Sequence, residues 1–147
     1  MKRISRSAIV EHPPEALYAL VDDIDAYPRF LPWCRAARVH ERTAERTIAT
    51  LTVGPKGLRY ELTTENRNRP HEAIDMRLLT GPFRRLEAHW RFERLGPRAA
   101  RIEFSMAYEL AGGLGTRALA PLFDGIADKM VDAFRRRADE LHAKAAR

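Results

Sequence analysis

The chain predicts an α+β fold in which a curved antiparallel sheet of about seven strands wraps around one long C-terminal helix, in the order β-α-α-β-β-β-β-β-β-α. Two observations carry this. Over residues 114–146 apolar side chains recur at Leu119, Leu122, Ile126, Met130, Phe134, Ala138 and Leu141, in steps of three or four, while Asp124, Asp128, Asp132, Arg135, Arg136 and Asp139 take the other side. From residue 34 to 110 the period is two instead, and turn signals cut the run into strand-length pieces. At ~1.5 Å per residue the helix reaches on the order of 40 Å, too long for the much shorter second helical stretch to cover. The apolar face of a sheet has to cover it.

In chain order, residues 3–11 form a weakly alternating strand with Ile4, Ala8 and Val10 on one side. Pro13 and Pro14 end it, and Pro14 suits the first turn of a helix over 14–22, with Leu17, Leu20, Val21 and Ile24 as its apolar stripe. Asp25 caps a short turn through Leu31 that Pro32 closes, leaving an aromatic knuckle before Cys34. Strands follow at about 34–42, 45–53, 58–66, 72–79, 84–95 and 99–110. The breaks at 54–57, 68–70, 81–82 and 96–98 hold Gly, Pro and Asn, which favour turns or leave a ladder unpaired. Such short connections imply antiparallel neighbours.

Alternation also assigns the dry face. Leu58, Tyr60 and Leu62 oppose Arg59, Glu61 and Glu65; Ile74, Met76 and Leu78 oppose Asp75 and Arg77. Leu86, Ala88, Trp90 and Phe92 oppose Glu87, His89, Arg91 and Glu93, and Ile102, Phe104, Met106, Tyr108 and Leu110 complete the face. Gly112, Gly113 and Gly115 lead into the long helix, where Pro121 either makes a kink or stands in the first turn.

The 147 residues, 45% hydrophobic and 31% charged, suit one domain spanning 1–147 with a real core. No apolar run approaches the ~20 residues of a bilayer span, and residues 1–4 lack an apolar signal core. The expected location is cytoplasmic, with peripheral contact at an anionic inner membrane face. Cys34 is the single cysteine, so no internal disulfide forms. A net charge of +6 favours an anionic partner, RNA or an anionic membrane surface, and charge alone does not choose between them. No DNA partner is expected.

Three motifs carry a family likeness. Tyr27-Pro28-Arg29-Phe30-Leu31-Pro32-Trp33-Cys34, then Gly81-Pro82-Phe83-Arg84-Arg85-Leu86 with Trp90-Arg91-Phe92, and Ile126-Ala127-Asp128-Lys129-Met130-Val131-Asp132-Ala133-Phe134 resemble the coenzyme Q-binding and ribosome association toxin family of the START-like, polyketide cyclase-like superfamily. The likeness covers nearly the whole chain in the right order. It implies a helix-grip fold whose sheet and long helix enclose an apolar cavity. It further implies either binding of ubiquinone in support of respiration or binding of the large ribosomal subunit, and the matched motifs do not separate the two.

An apolar sheet face is first of all a core, since filled interiors are the rule. The mixture of Met and aromatic side chains suits a flexible apolar guest, and it fills ordinary gaps equally well. The expected lining or gate residues are Trp33, Met76, Leu78, Phe83, Trp90, Phe104, Met106, Phe123 and Met130. Tyr27, Pro28, Phe30 and Leu31, together with Gly81 and Pro82, are the expected mouth, or else a plug over one end of the core. Arg84, Arg85, Arg135 and Arg136 form the candidate basic surface for lipid or ribosomal RNA phosphates, although helix arginines near a C-terminus also answer the macrodipole.

Other clusters read as ordinary. Asp22, Asp23 and Asp25 lack calcium-loop spacing, and the histidines at 12, 40, 71, 89 and 142 lack zinc-ligand spacing with each other or with Cys34, so no metal is expected. Cys34 needs a nearby histidine base to act as a nucleophile, and alternation turns Asp75, Arg77, His89 and Arg91 outward, away from a cavity. The expected function is non-catalytic binding of a hydrophobic small molecule, ubiquinone or a similar isoprenoid quinone, with no other cofactor. A ribosome-binding factor that associates with the large subunit and blocks subunit joining is the alternative, and a polyketide cyclase-like enzyme comes third.

Overall fold

The computed structural model describes residues 1–54, 57–113 and 119–145, with side chains to residue 142. Pro55 and Lys56 of an expected turn, residues 114–118 of the expected helix entry, and Ala146 lie outside the described residues. The elements are β1 (Lys2–Val10), α1 (Pro14–Asp22), a 3-10 turn (Ile24–Arg29), β2 (Cys34–Arg42), β3 (Arg46–Val53), β4 (Tyr60–Arg69), β5 (Ala73–Thr80), β6 (Phe83–Gly96), β7 (Ala99–Leu110) and α2 (Leu119–Ala145). The seven strands form one curved antiparallel sheet in the order β1-β7-β6-β5-β4-β3-β2.

This topology explains the early helices. β1 and β2 stand at opposite edges of the sheet, so the chain between them has to cross from one edge to the other. α1 and the 3-10 turn make that crossing, and α1 packs on β6, β7 and α2 as it goes. Pro14 opens α1 after an extended Pro13 (φ −67°, ψ 155°), where its missing donor costs nothing. Leu17, Tyr18 and Val21 are the face it buries.

The register lines up one dry face across strands. Ile74 faces Trp90, Trp90 faces Phe104, and Met76, Ala88 and Met106 form the next row. Trp90 is held by rings on three elements: Phe92 stacked at 6.0 Å between centroids, Phe104 at 4.8 Å and Phe134 of α2 edge-on at 5.3 Å. Bulges in the β2–β3, β4–β5 and β6–β7 pairings add the local twist that bends the sheet around the helix.

α2 buries Leu119, Phe123, Ile126, Ala127, Val131, Phe134 and Ala138. Pro121 is its third residue, so it stands in the first turn rather than at a kink. Leu141, expected on the dry stripe, is 37% exposed, because among the described side chains burial along the helix ends at Ala138. Two acids of the expected solvated face also make ties to other elements. Asp124 accepts the Tyr108 hydroxyl and lies 3.8 Å from Lys2, and Asp128 pairs with Arg6, tying the flank of the helix to β1 and β7.

β4 departs most from the sequence reading. Leu58, expected on the dry face, precedes the strand and is exposed, while β4 runs on through Asn68 and Arg69, where a break was expected. The Asn68 amide N–H donates to the Glu45 carbonyl and its side chain donates to Thr47 Oγ1 at 3.3 Å, so neighbouring strands override the turn preference of asparagine. The preceding turn depends on Gly54: at φ +147°, a Cβ there would lie 2.4 Å from the Leu58 carbonyl oxygen.

Candidate functional site

Between the concave sheet face and α2 lies a cavity of about 70 Å³. β3 and β4 supply Leu51, Val53, Leu62, Thr64 and Asn66; β5 to β7 supply Ile74, Met76, Leu86, Ala88, Trp90, Phe104 and Met106. α2 contributes Phe123, Ile126, Met130 and Phe134, while Val21, Ile24, Tyr27 and Trp33 close one end. Trp33, Met76 and Met130 remain half-buried, so the enclosure thins at these positions.

Seven of the nine side chains named as lining or gate from the sequence stand on this cavity: Trp33, Met76, Trp90, Phe104, Met106, Phe123 and Met130. Leu78 and Phe83 do not. Leu78 is drawn under the β5–β6 turn, where a Cβ on Gly81 would come within 3.1 Å of its Cδ1. Phe83 is spent on ring contacts, 4.9 Å from Phe123 and 6.2 Å from Tyr108, and fills the core beside the cavity.

The expected mouth also divides. Tyr27 belongs to the inner wall and donates its hydroxyl to the Val21 carbonyl. Phe30 and Leu31 face a separate surface groove of about 820 Å³, and Pro28 is exposed and lines neither space. Gly81 and Phe83 line a different depression on the β5–β6 turn, whereas Pro82 lines neither that depression nor the groove, so the turn and the knuckle share no opening among the described residues. The groove runs along α2 past Leu122, Ile126 and Ala133, and it shares Trp33 and Ile126 with the cavity. Those two side chains are the partition.

The basic clusters are not equivalent. Arg135 pairs with Asp132 and lies 3.6 Å from Asp139, and Arg136 reaches Asp132 at 2.9 Å, so acids on the same helix answer their charge. Arg137 lies over the Phe30 ring at 5.4 Å. On β6, Arg85 has only a loose approach to Glu87 at 3.6 Å, and Arg84 has no ion pair among the described residues.

Chemically the cavity is quiet. Its lining includes no carboxylate, histidine, lysine or arginine. Burial holds the Tyr27 hydroxyl far above its ordinary range and pushes the Cys34 thiol up to about 11, so both keep their protons at neutral pH. On the convex face Asp75, His89 and Ser105 stand in register, and His89 Nδ1 meets Asp75 at 2.6 Å. No hydrogen bond joins His89 to Ser105 among the described residues, and Arg91 also holds Asp75, at 2.8 Å, so this row is an ion-pair network without a nucleophile. Folding also brings His12 and His142 together with rings 4.8 Å apart, which their sequence separation hides, yet no cluster of three or more ligating side chains forms among the described residues.

The sequence reading missed Thr64 and Asn66. Alternation carried on from Leu62 places Thr64, Asn66 and Asn68 on the same inner face, and all three are buried. The signal was a period of two continuing in polar residues.

Comparison with known proteins gives three findings. The family described as polyketide cyclase / dehydrase and lipid transport matches residues 10–135. The ribosome association toxin RatA of Pseudomonas aeruginosa is 42% identical over 139 residues, covering 95% of this chain and 96% of that protein, and the mitochondrial coenzyme Q-binding protein coq10 of Schizosaccharomyces pombe is 26% identical over 92% and 86%. Among solved structures, the Zhui aromatase/cyclase of Streptomyces sp. R1128 superposes with a TM-score of 0.80 at 15% identity, over 94% of this chain and 93% of that one, which shows a common fold.

Proposed function

Because the chain belongs to the polyketide cyclase / dehydrase and lipid transport family, and within it to the group of ribosome association toxins and coenzyme Q-binding proteins, we propose that it binds a hydrophobic small molecule of the isoprenoid quinone class without transforming it. The observation that carries this reading is the apolar cavity between sheet and helix, walled by Trp90, Phe104, Phe123 and Met130 and free of ionisable groups able to exchange a proton near neutral pH. Cyclase chemistry needs an acid, base or oxyanion donor aimed at the substrate. The lining offers only a tyrosine that donates to a backbone carbonyl, one threonine, one asparagine and the indoles. Solvent extraction of purified protein followed by mass spectrometry should recover a quinone, and a short-tail ubiquinone should quench tryptophan fluorescence saturably. Protein that carries no quinone and shows no saturable quenching overturns the reading.

A second reading rests on a different observation, the 42% identity to a ribosome association toxin along nearly the full length of both chains. On this reading the chain associates with the large ribosomal subunit through its positive surface, with Arg84 and Arg85 less answered by nearby acids than Arg135 and Arg136. Binding through phosphates weakens steeply as salt rises, because each contact releases counterions. Replacing both arginines by glutamine should flatten that salt dependence in sedimentation with ribosomal subunits. Absence of co-sedimentation at low salt removes this reading.

A further inference from the structure

An apolar cavity has no use for a buried amide, yet this one has Asn66 in its wall. The residue is 6% exposed, and its Oδ1 has no hydrogen-bond partner among the described residues. Its neighbour on the same face, Asn68, also has an unpaired Oδ1, but it gives its amide nitrogen to Thr47 and is not part of the lining, so of the two only Asn66 is placed to meet a guest. Leaving a buried polar atom unpaired costs stability, and a guest made only of hydrocarbon would leave that cost in place. A guest with a hydroxyl or carbonyl at the right end removes it.

Size points the same way. At the ~10–15 Å³ that one water needs, a cavity of this size takes about five to seven such units, the extent of a single ring rather than a chain of isoprenoid units. The larger space is the groove outside, lined by Phe30, Leu122 and Ala133 together with Arg35, Lys129, Asp132 and Arg136, and it shares Trp33 and Ile126 with the cavity.

Resting on the quinone-class reading above, we propose that the ligand enters head first: its polar ring hydrogen-bonds Asn66 at the β4 wall, and its tail leaves between Trp33 and Ile126 to lie along α2. The amide suits both redox forms of such a head, since Oδ1 accepts from a hydroquinone hydroxyl and the amide turned over donates Nδ2 to a quinone carbonyl. Trp33 is then a gate touched by tail, and Asn66 is the residue that selects molecules with a polar end over plain hydrocarbons.

The test uses full-length protein, Asn66→Leu, and two probes: a ubiquinone with two isoprenoid units, and the corresponding isoprenoid hydrocarbon without the ring. Asn66→Leu should weaken ubiquinone binding on the order of tenfold and leave hydrocarbon binding equal or tighter. Unchanged ubiquinone affinity, or equal weakening for both probes, overturns the head-first placement while the cavity reading stands. Failure of the wild-type protein to bind either probe overturns both. Should Asn66→Leu not fold, the infrared carbonyl band of labelled ubiquinone on the wild-type protein decides: a downshift supports the hydrogen bond, and a band at its hydrocarbon-solvent position sinks it. A bromine at the tail end should quench Trp33 in a Trp90→Phe protein, whereas quenching of Trp90 alone, seen in a Trp33→Phe protein, reverses the orientation.

Discussion

Two adjacent residues of β4, Glu65 and Asn66, are both buried and polar, and they face opposite sides of the sheet. On the convex side Glu65 lies beneath arginines from three strands: Arg46 donates at 2.7 Å, Arg77 at 2.8 Å, and Arg67 stands 3.6 Å away. Its carboxylate is fully answered, and hydrogen bonds from Arg46 and then Arg77 hold its pKa down at about 2. On the concave side Asn66 Oδ1 is answered by nothing among the described residues. A buried polar group with its partners in place belongs to the architecture; an unpaired one on a cavity wall can meet a guest, which sets Asn66 apart from the equally unpaired Asn68 Oδ1 and Asp22 Oδ1 away from the cavity.

The contrast can be broken at several points. The largest effect should come from the apolar part of the concave face. Trp90→Ala removes the ring that packs on Phe92, Phe104 and Phe134, and should lower stability by about 3–5 kcal/mol. An unchanged denaturation midpoint would mean that this wall is not core. Next, Glu65→Gln and Asn66→Leu should have opposite signs. The first strands Arg46 and Arg77 without their carboxylate and should lower the melting temperature. The second removes an unpaired buried oxygen and should raise stability by about 1 kcal/mol. Two shifts of the same sign would erase the distinction between the faces.

The pH profile sharpens the convex half. The folded pKa of Glu65 lies below its ordinary value of 4.5, so its contribution is fully present above that value and is lost as pH falls towards about 2. Urea midpoints measured between pH 4.5 and 2 should therefore fall less steeply for Glu65→Gln than for the wild type; parallel curves would show that the arginines do not act on this carboxylate. The smallest effect concerns Cys34, at the start of β2 and 3% exposed, whose thiol is pushed up to about 11 by burial. Alkylation by iodoacetamide at pH 8 should be slow in native protein and fast in urea. Equal rates would place the thiol at the surface.

How far the sequence reached differs between these regions. The strand at 34–42 and the helix at 14–22 were legible to the residue, because period, proline and turn signals are local properties of the chain. The concave wall of β5 to β7 was equally legible, since large apolar side chains at period two have one economical place to go. Leu78 sits on the expected strand, whereas Phe83, read as part of the loop, opens β6; both miss the cavity because a turn and a ring cluster take them first.

The sequence by itself determined the order of elements, the dry face of most strands and the amphipathic stripe of α2, all of which follow from periodicity. Tertiary structure alone decided which polar residues are satisfied. Whether Glu65 meets Arg46 and Arg77, or Asn66 is left facing the cavity, depends on strand register and sheet curvature. Those are properties of pairs of strands, and no single stretch of chain encodes them. The same holds for the partition at Trp33 and Ile126, two residues far apart in the chain that meet only because the sheet closes around the helix.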